Sequence, residues 1–201
     1  MGKNVILVGA FHEVVELCEL CDYTIVGIID NNISKEYYGY KILGTDSDAE
    51  MLYNQYGDYE LIITPDLPVI RKKLVEYYSR IGYKFATLIS PKANVSKYAV
   101  LGKGCIVQSG VNISAGCIIS NFVKFNINCN VMHDNIVGNY TTIAPNAVLL
   151  GYVTIGGMAY IGANSTILPK NKIGESALIG AGAVVTHDIP CGIIVKGVPA
   201  R

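Results

Sequence analysis

The chain has 201 residues, of which 51% are apolar and 16% charged, with 16 basic against 16 acidic side chains and no net charge. This composition holds enough apolar material for a sizeable core and excludes an intrinsically disordered chain. The even charge, with no basic stripe, argues against a nucleic-acid partner. The opening MGKNVILVGAFHEV has too short an apolar run for a signal peptide, and no segment reaches the roughly 20 apolar residues that span a bilayer. A soluble, cytoplasmic protein with no membrane span is expected.

Residues 3–9, containing NVILVG, form a short apolar run closed by glycine and read as a buried strand. HEVVELCELC, residues 12–21, has helical spacing, and YTIVGIID, residues 23–30, reads as the next strand. DSDAEMLYNQY, residues 46–56, predicts a helix capped by Asp46 or Ser47. YELIITP, residues 59–65, is a further strand, and VIRKKLVEYYSRIG, residues 69–82, a helix ending at Gly82. KFATLIS, residues 84–90, closes this half. Alternating strands and helices predict a small parallel sheet flanked by helices.

With no export signal, the six cysteines are expected as free thiols. Cys18 and Cys21 form a CxxC in the first helix, but no second pair follows at zinc-like spacing, so packing is their expected role.

After Pro91 the rhythm changes. Stepping by six from Val95 gives Val95, Leu101, Val107, Ile113, Ile119, Phe125, Val131, Val137, Ile143, Leu149, Ile155, Ile161, Ile167, Ile173, Ile179 and Val185, all apolar. Four places later the residue is mostly small, as at Ala99, Cys105, Cys117, Cys129, Thr141, Ala147, Ala159, Ser165, Ala177 and Ala183. A six-residue unit with one large and one small inward side chain builds a three-sided parallel β-helix. Three units make one coil. The cysteines at 105, 117 and 129 are then core fillers rather than metal ligands, because a spacing of 12 does not stack them on one face.

NCNVMHDNIVGNY, residues 128–140, interrupts this repeat with a histidine beside an aspartate. His133 follows the inward Val131 by two, a place that should face outward or lie near a turn. It reads either as a surface or subunit-contact histidine or as a general base. Transfer of an acetyl group from a thioester to an amine needs a base to take the proton, and imidazole, typically worth ~100- to 10,000-fold, suits that task. Asp134 would raise its basicity and hold the imidazolium. His187 in VVTHDIP lies at the last coil and reads as a capping or surface residue.

In the first half, VGAFHE, residues 8–13, is a strand, a glycine turn and a helix start, where backbone amides can hold a phosphate. Asp30 ends the second strand 21 residues after Gly9, where an acid can meet a ribose hydroxyl. The turn is not a full G-x-G-x-x-G, and a plain structural turn is an equal alternative.

Taken in order, VILVGAFHEV, GIIDNN, GYKILGTDSD, VIRKKL, LISPKANVS, FNINCNVMHDNIVGNYTTIAPNAVLLGYVTIG and the closing VKGVPAR resemble, over nearly the full length, a bacterial acyltransferase family. It comprises the sugar O-acyltransferases and nucleotide-amino-sugar N-acetyltransferases of the bacillosamine- and sialic-acid-biosynthesis type. The resemblance implies a Rossmann-like nucleotide-sugar-binding domain over residues 1–90 and a left-handed β-helix acetyltransferase domain over residues 91–201, assembled as a homotrimer. It makes His133 the general base and Asp134 its modulator. It assigns Ala10, Phe11 and His12 to the nucleotide-sugar pocket, Asp30 and Asn31 to the nucleoside, Pro65 and Asp66 to the pocket border, and Asn126 to the sugar. Thr142, Ala163 and Ala181 would meet acetyl-CoA between neighbouring β-helices. The expected activity is acetyl-CoA-dependent N-acetylation of a UDP- or dTDP-linked 4-amino-4,6-dideoxy sugar for surface polysaccharide or glycan assembly, without a metal. The alternative is O-acetylation of sialic acid or another sugar. The chain departs from the family at Ala10-Phe11-His12-Glu13, where a Gly-Gly-His-Gly-like turn is common, and at Asp30-Asn31, where a double aspartate is common.

Overall fold

The computed structural model describes residues 3–201; Met1 and Gly2, the first residues of the expected N-terminal domain, lie outside the described residues. The chain divides into two compact units. One contains the residues up to Asp66 together with Ile70–Leu88, and the other Leu67–Val69 with Ile89–Arg201.

The first unit is built on three apolar strands, β1 (Asn4–Val8), β2 (Thr24–Ile29) and, later in the chain, a strand at Glu60–Ile63. Val5, Ile6 and Leu7 are fully buried, as expected for a parallel strand covered on both faces. Between β1 and β2 runs helix α1 (His12–Leu20), which buries Val14, Val15, Leu17 and Cys18. Burial pushes the Cys18 thiol up to about 12, so this member of the CxxC is a packing residue.

The sheet is mixed rather than wholly parallel. β3 (Glu36–Tyr37) and β4 (Tyr40–Gly44) form an antiparallel hairpin, and with the Glu60–Ile63 strand as β5 the order is β3-β4-β2-β1-β5. The hairpin turn places both Tyr38 (φ 51°) and Gly39 (φ 80°) in the left-handed region. Two-residue hairpins adopt that geometry because it matches the strand twist.

Helix α2 (Ala49–Tyr56) follows a short 3-10 turn at Asp46–Asp48. The cap is neither Asp46 nor Ser47. The Thr45 amide and hydroxyl donate to the Asp48 carboxylate at 2.8 and 2.9 Å, closing the turn one residue earlier. Helix α3 (Pro68–Ile81) opens on a proline suited to a first turn and stops at Gly82, whose φ of 114° suits glycine. Tyr78 is fully buried and meets Tyr83, which meets Tyr53, in edge-on ring pairs at 5.4 and 4.9 Å. Of the expected strand at residues 84–90, only Leu88–Ile89 is regular.

The second unit is a three-sided prism of two-residue rungs, all paired in parallel. Along one side, Val95, Ile113, Val131, Leu149, Ile167 and Val185 stack in register, each 18 residues after the last. The other two sides include the rungs from Val100–Leu101 to Lys172–Ile173 and those from Ile106–Val107 to Ile194–Val195. From Val107 onward each inward residue of the repeat is buried, while Val95 and Leu101 on the first coil are partly buried.

The third place after each inward residue turns the corner in a left-handed conformation, from Gly104 through Phe122, Asn128, Asp134, Tyr140 and Tyr152 to Gly182. Glycine and asparagine fit there readily. Larger residues are held by packing, as where the Phe122 and Tyr140 rings stack at 5.4 Å. The cysteines fill the core as expected. Cys105 donates its thiol to the Ser120 carbonyl and Cys117 to that of Met132, while burial pushes the Cys129 thiol well above its ordinary range.

Candidate active site

His133 leaves the prism at the corner that follows the Asn130–Val131 rung. Its side chain is 53% exposed, in keeping with the outward place the repeat assigns it. Asp134 occupies the left-handed corner position, with φ 58°. That conformation turns its carboxylate back onto the imidazole, where Oδ2 lies 2.9 Å from Nδ1. A carboxylate accepts, so Nδ1 donates. The tautomer this fixes leaves Nε2 with its lone pair.

The next coil forms a seat for the ring. Gly151 stands one coil beyond His133, and a Cβ built on it would meet the imidazole Cε1 and Nε2 at 2.7 and 2.8 Å. Glycine at 151 is therefore what lets the ring lie against the corner. Tyr152 meets the same ring edge-on at 5.2 Å, and its backbone amide donates to the His133 carbonyl at 3.2 Å. From inside, Asn135 and Cys117 both donate to the Met132 carbonyl, at 2.7 and 3.0 Å. Gly151, Tyr152, Asn135 and Cys117 were not read from the sequence as parts of a site. The one sequence signal for Asn135 is an amide at the fourth place of the repeat, where small residues predominate.

The N-terminal candidates form a second cluster. The Ala10 amide donates to Asp30 Oδ2 at 2.8 Å, so the turn after β1 and the end of β2 meet as expected. Asp30 Oδ1 also accepts the amides of Asn32 and Ile33, at 2.8 and 3.1 Å. The carboxylate thus organises its own loop besides facing the turn. Phe11, His12 and Tyr38 present a row of stacked rings, with centroids 6.0 and 6.2 Å apart. Asn31 is tied to Asp46 by reciprocal hydrogen bonds of 2.6 and 2.9 Å. The Pro65 and Asp66 carbonyls accept from the buried Arg71 guanidinium at 2.7 and 3.0 Å. Gly9, at φ 95°, leaves Thr64 Oγ1 only 2.5 Å from where a Cβ would stand.

The remaining candidates lie at another corner of the prism. Ala163 and Ala181 stack one coil apart, joined by the Gly182 amide donating to the Ala163 carbonyl at 2.8 Å. Ala163 is half-buried and Ala181 exposed. Thr142 and Asn126 are buried on the side leading into that corner. A single chain therefore separates these four residues from His133. His187 shares the corner of His133 but lies three coils away, about 14 Å along the axis at β-sheet spacing, and is exposed.

Among the described residues, no group of three or more His, Cys, Asp or Glu side chains is placed to hold a metal ion. No helix among them is long and apolar enough to cross a membrane.

No family model matches the chain. A curated relative, GDP-perosamine N-acetyltransferase of Escherichia coli O157:H7, is 36% identical over 133 residues, covering 66% of this chain and 58% of the relative. The chain thus aligns with little more than half the length of that relative. Among solved structures, a histidine-to-alanine variant of GDP-perosamine N-acetyltransferase from Caulobacter crescentus, in complex with CoA and GDP-perosamine, superposes with a TM-score of 0.94. The two are 29% identical, over 98% of this chain and 95% of that one. The acetyltransferase domain of PglB from Neisseria gonorrhoeae FA1090, in complex with acetyl coenzyme A, gives a TM-score of 0.92 at 27% identity, over 100% and 99% of the two chains. With these neighbours, the stacked parallel sheets match a left-handed β-helix joined to an N-terminal mixed-sheet domain.

Proposed function

We propose that the chain is a hexapeptide-repeat sugar N-acetyltransferase that moves the acetyl group of acetyl-CoA onto the amine of a nucleotide-linked amino sugar. The observation that carries this reading is the His133–Asp134 pair, an exposed imidazole whose Nδ1 lies 2.9 Å from a carboxylate, so that in the neutral ring Nε2 is the acceptor. The likeness over nearly the whole chain to proteins holding CoA and GDP-perosamine supports it.

In this reading the amine nitrogen attacks the thioester carbonyl, and the proton it sheds passes to His133 Nε2. Asp134 holds the imidazolium so formed. The C–S bond breaks as the amide forms, and the imidazolium returns its proton to the departing CoA sulfur, which leaves as the free thiol. Residues 1–90, a Rossmann-like domain in this reading, bind the nucleotide sugar through Ala10, Phe11, His12, Asp30, Asn31, Pro65 and Asp66. Residues 91–201 carry out the transfer, with Asn126 toward the sugar and Thr142, Ala163 and Ala181 toward acetyl-CoA. Because one chain holds Ala163 and Ala181 at a different corner from His133, the complete site takes these groups from neighbouring chains of a homotrimer.

The acceptor we place first is a GDP-linked amino sugar such as GDP-perosamine, ahead of the UDP- or dTDP-linked 4-amino-4,6-dideoxy sugars expected from the sequence. The test is CoA thiol release from acetyl-CoA with a panel of GDP-, UDP- and dTDP-linked sugars, each in amino and hydroxy form. Turnover confined to amino sugars is the expected result. Turnover confined to hydroxy sugars would instead make the chain an O-acetyltransferase.

A further inference from the structure

The geometry points to Asn135 as the positioning residue of His133, a buried amide that locks the corner bearing the imidazole to the corner on which it rests. The inference depends on the reading of His133 as the base.

Asn135 fills the fourth place of its repeat unit, where neighbouring units carry Cys129, Thr141 and Ala147, and it is wholly buried. Its side chain spans two coils. Nδ2 donates to the carbonyl of Met132, the residue before His133, at 2.7 Å, with a longer approach of 3.5 Å to the Leu149 carbonyl. Oδ1 accepts the amide of Val153, the residue after Tyr152, at 2.6 Å. At several other corners the equivalent amide closes the turn locally, as Ala147 does onto Ala144 at 3.2 Å. At the Gly151–Tyr152 corner it is instead turned inward to Asn135. One side chain thus grips the peptide leading into His133 and the turn that supplies its seat, so the spacing between imidazole and seat is set from inside the core. A buried amide with both ends engaged is costly to disturb, because removing it strands the Val153 amide and leaves the Met132 carbonyl with only the weak thiol donor of Cys117.

The fold supplies an internal control. Asn171 occupies the same place two coils later and donates to the Leu168 and Val185 carbonyls at 3.1 and 3.3 Å. The turn leading into it carries Pro169 and Lys170 in place of His133 and Asp134, and the histidine of the next coil, His187, lies three coils from His133. A purely structural role would make the two asparagines equivalent.

The experiment compares His133→Ala, Asn135→Ala, Asn135→Ser and Asn171→Ala in the full chain. It measures melting temperature, kcat and KM with acetyl-CoA and the accepted sugar, and the imidazole proton resonances of His133. Ser165 donates to the Gly162 carbonyl three residues back at 2.7 Å, so a serine at 135 can keep the Met132 bond while losing the one to Val153. Asn135→Ala is expected to lower kcat by about 10- to 100-fold with KM nearly unchanged, the cost of a base held slightly out of line. Asn135→Ser recovers part of that loss. The His133 resonances shift in both variants. Asn171→Ala melts earlier but keeps its kcat and the His133 resonances. If Asn135→Ser and Asn171→Ala show the same kcat and the same His133 resonances, the positioning role is overturned while the base assignment stands. If His133→Ala turns over at the parental rate, the base assignment fails, and the positioning role with it.

Discussion

The two units encode structure in different ways. In the β-helix one rule serves every coil: a large inward residue, then a small one, then a corner. Residues that break the rule become visible against it, and His133, Asn135 and Gly151 all stand at one corner and its support. In the N-terminal unit the polar residues follow no such period. Asp30 gathers three backbone amides, and Asp46 gathers Asn31 and the Tyr78 hydroxyl, the latter at 2.7 Å. No repetition marks them out. Regularity therefore makes the exceptions stand out in one unit, while in the other irregular hydrogen bonding ties single side chains to several partners at once.

The steepest loss of stability should come from the repeat itself. Phe125 is fully buried and pairs with Val107 below and Ile143 above. Phe125→Ala should cost about 3–5 kcal/mol, measured by denaturant unfolding, because the rigid coils cannot collapse around the void. In the other unit, Asp30→Ala should cost about 1–3 kcal/mol by stranding backbone amides and should also raise KM for the nucleotide sugar. Stability and binding shifting together would sharpen the contrast. A change in KM alone would break it.

Gly151→Ala should leave the melting temperature close to that of the parent, since the group in its way is the half-exposed His133 ring rather than backbone. It should cut kcat by about tenfold or more, which corresponds to about 1.4 kcal/mol of barrier. A kcat equal to the parent's would show that the seat is dispensable.

The smallest effect concerns Asp48, whose carboxyl is held below its ordinary range by hydrogen bonds from the Thr45 amide and hydroxyl. A lowered folded-state value means the carboxylate stabilises the fold at neutral pH. That contribution disappears as the pH falls through the lowered value. The melting-temperature difference between the parent and Asp48→Asn should therefore shrink on acidification.

Legibility followed the same division. The six-residue period was visible along the sequence because every inward place is apolar, and the same period placed His133 on the outside. The N-terminal strands and helices were readable from short apolar runs and helical spacing. The β3–β4 hairpin was not, because its strands are short and its left-handed turn carries Tyr38 where asparagine is the usual signal. The cap of the turn leading into α2 was missed because Asp46 and Ser47 both look like caps, whereas the bond is made by Thr45 and Asp48 across the 3-10 turn. The roles of Asn135, Gly151 and Tyr152 depend on which residues stack 18 places apart, and become explicit only when the coils are laid over one another.

The most direct test is the turnover number of His133→Ala, assayed by thiol release from acetyl-CoA with the accepted sugar, beside the melting temperature and oligomeric state of the same protein. A folded protein in the parental oligomeric state with kcat lowered by about 100- to 10,000-fold is the result expected of an imidazole base. A folded protein that keeps the parental kcat would contradict it.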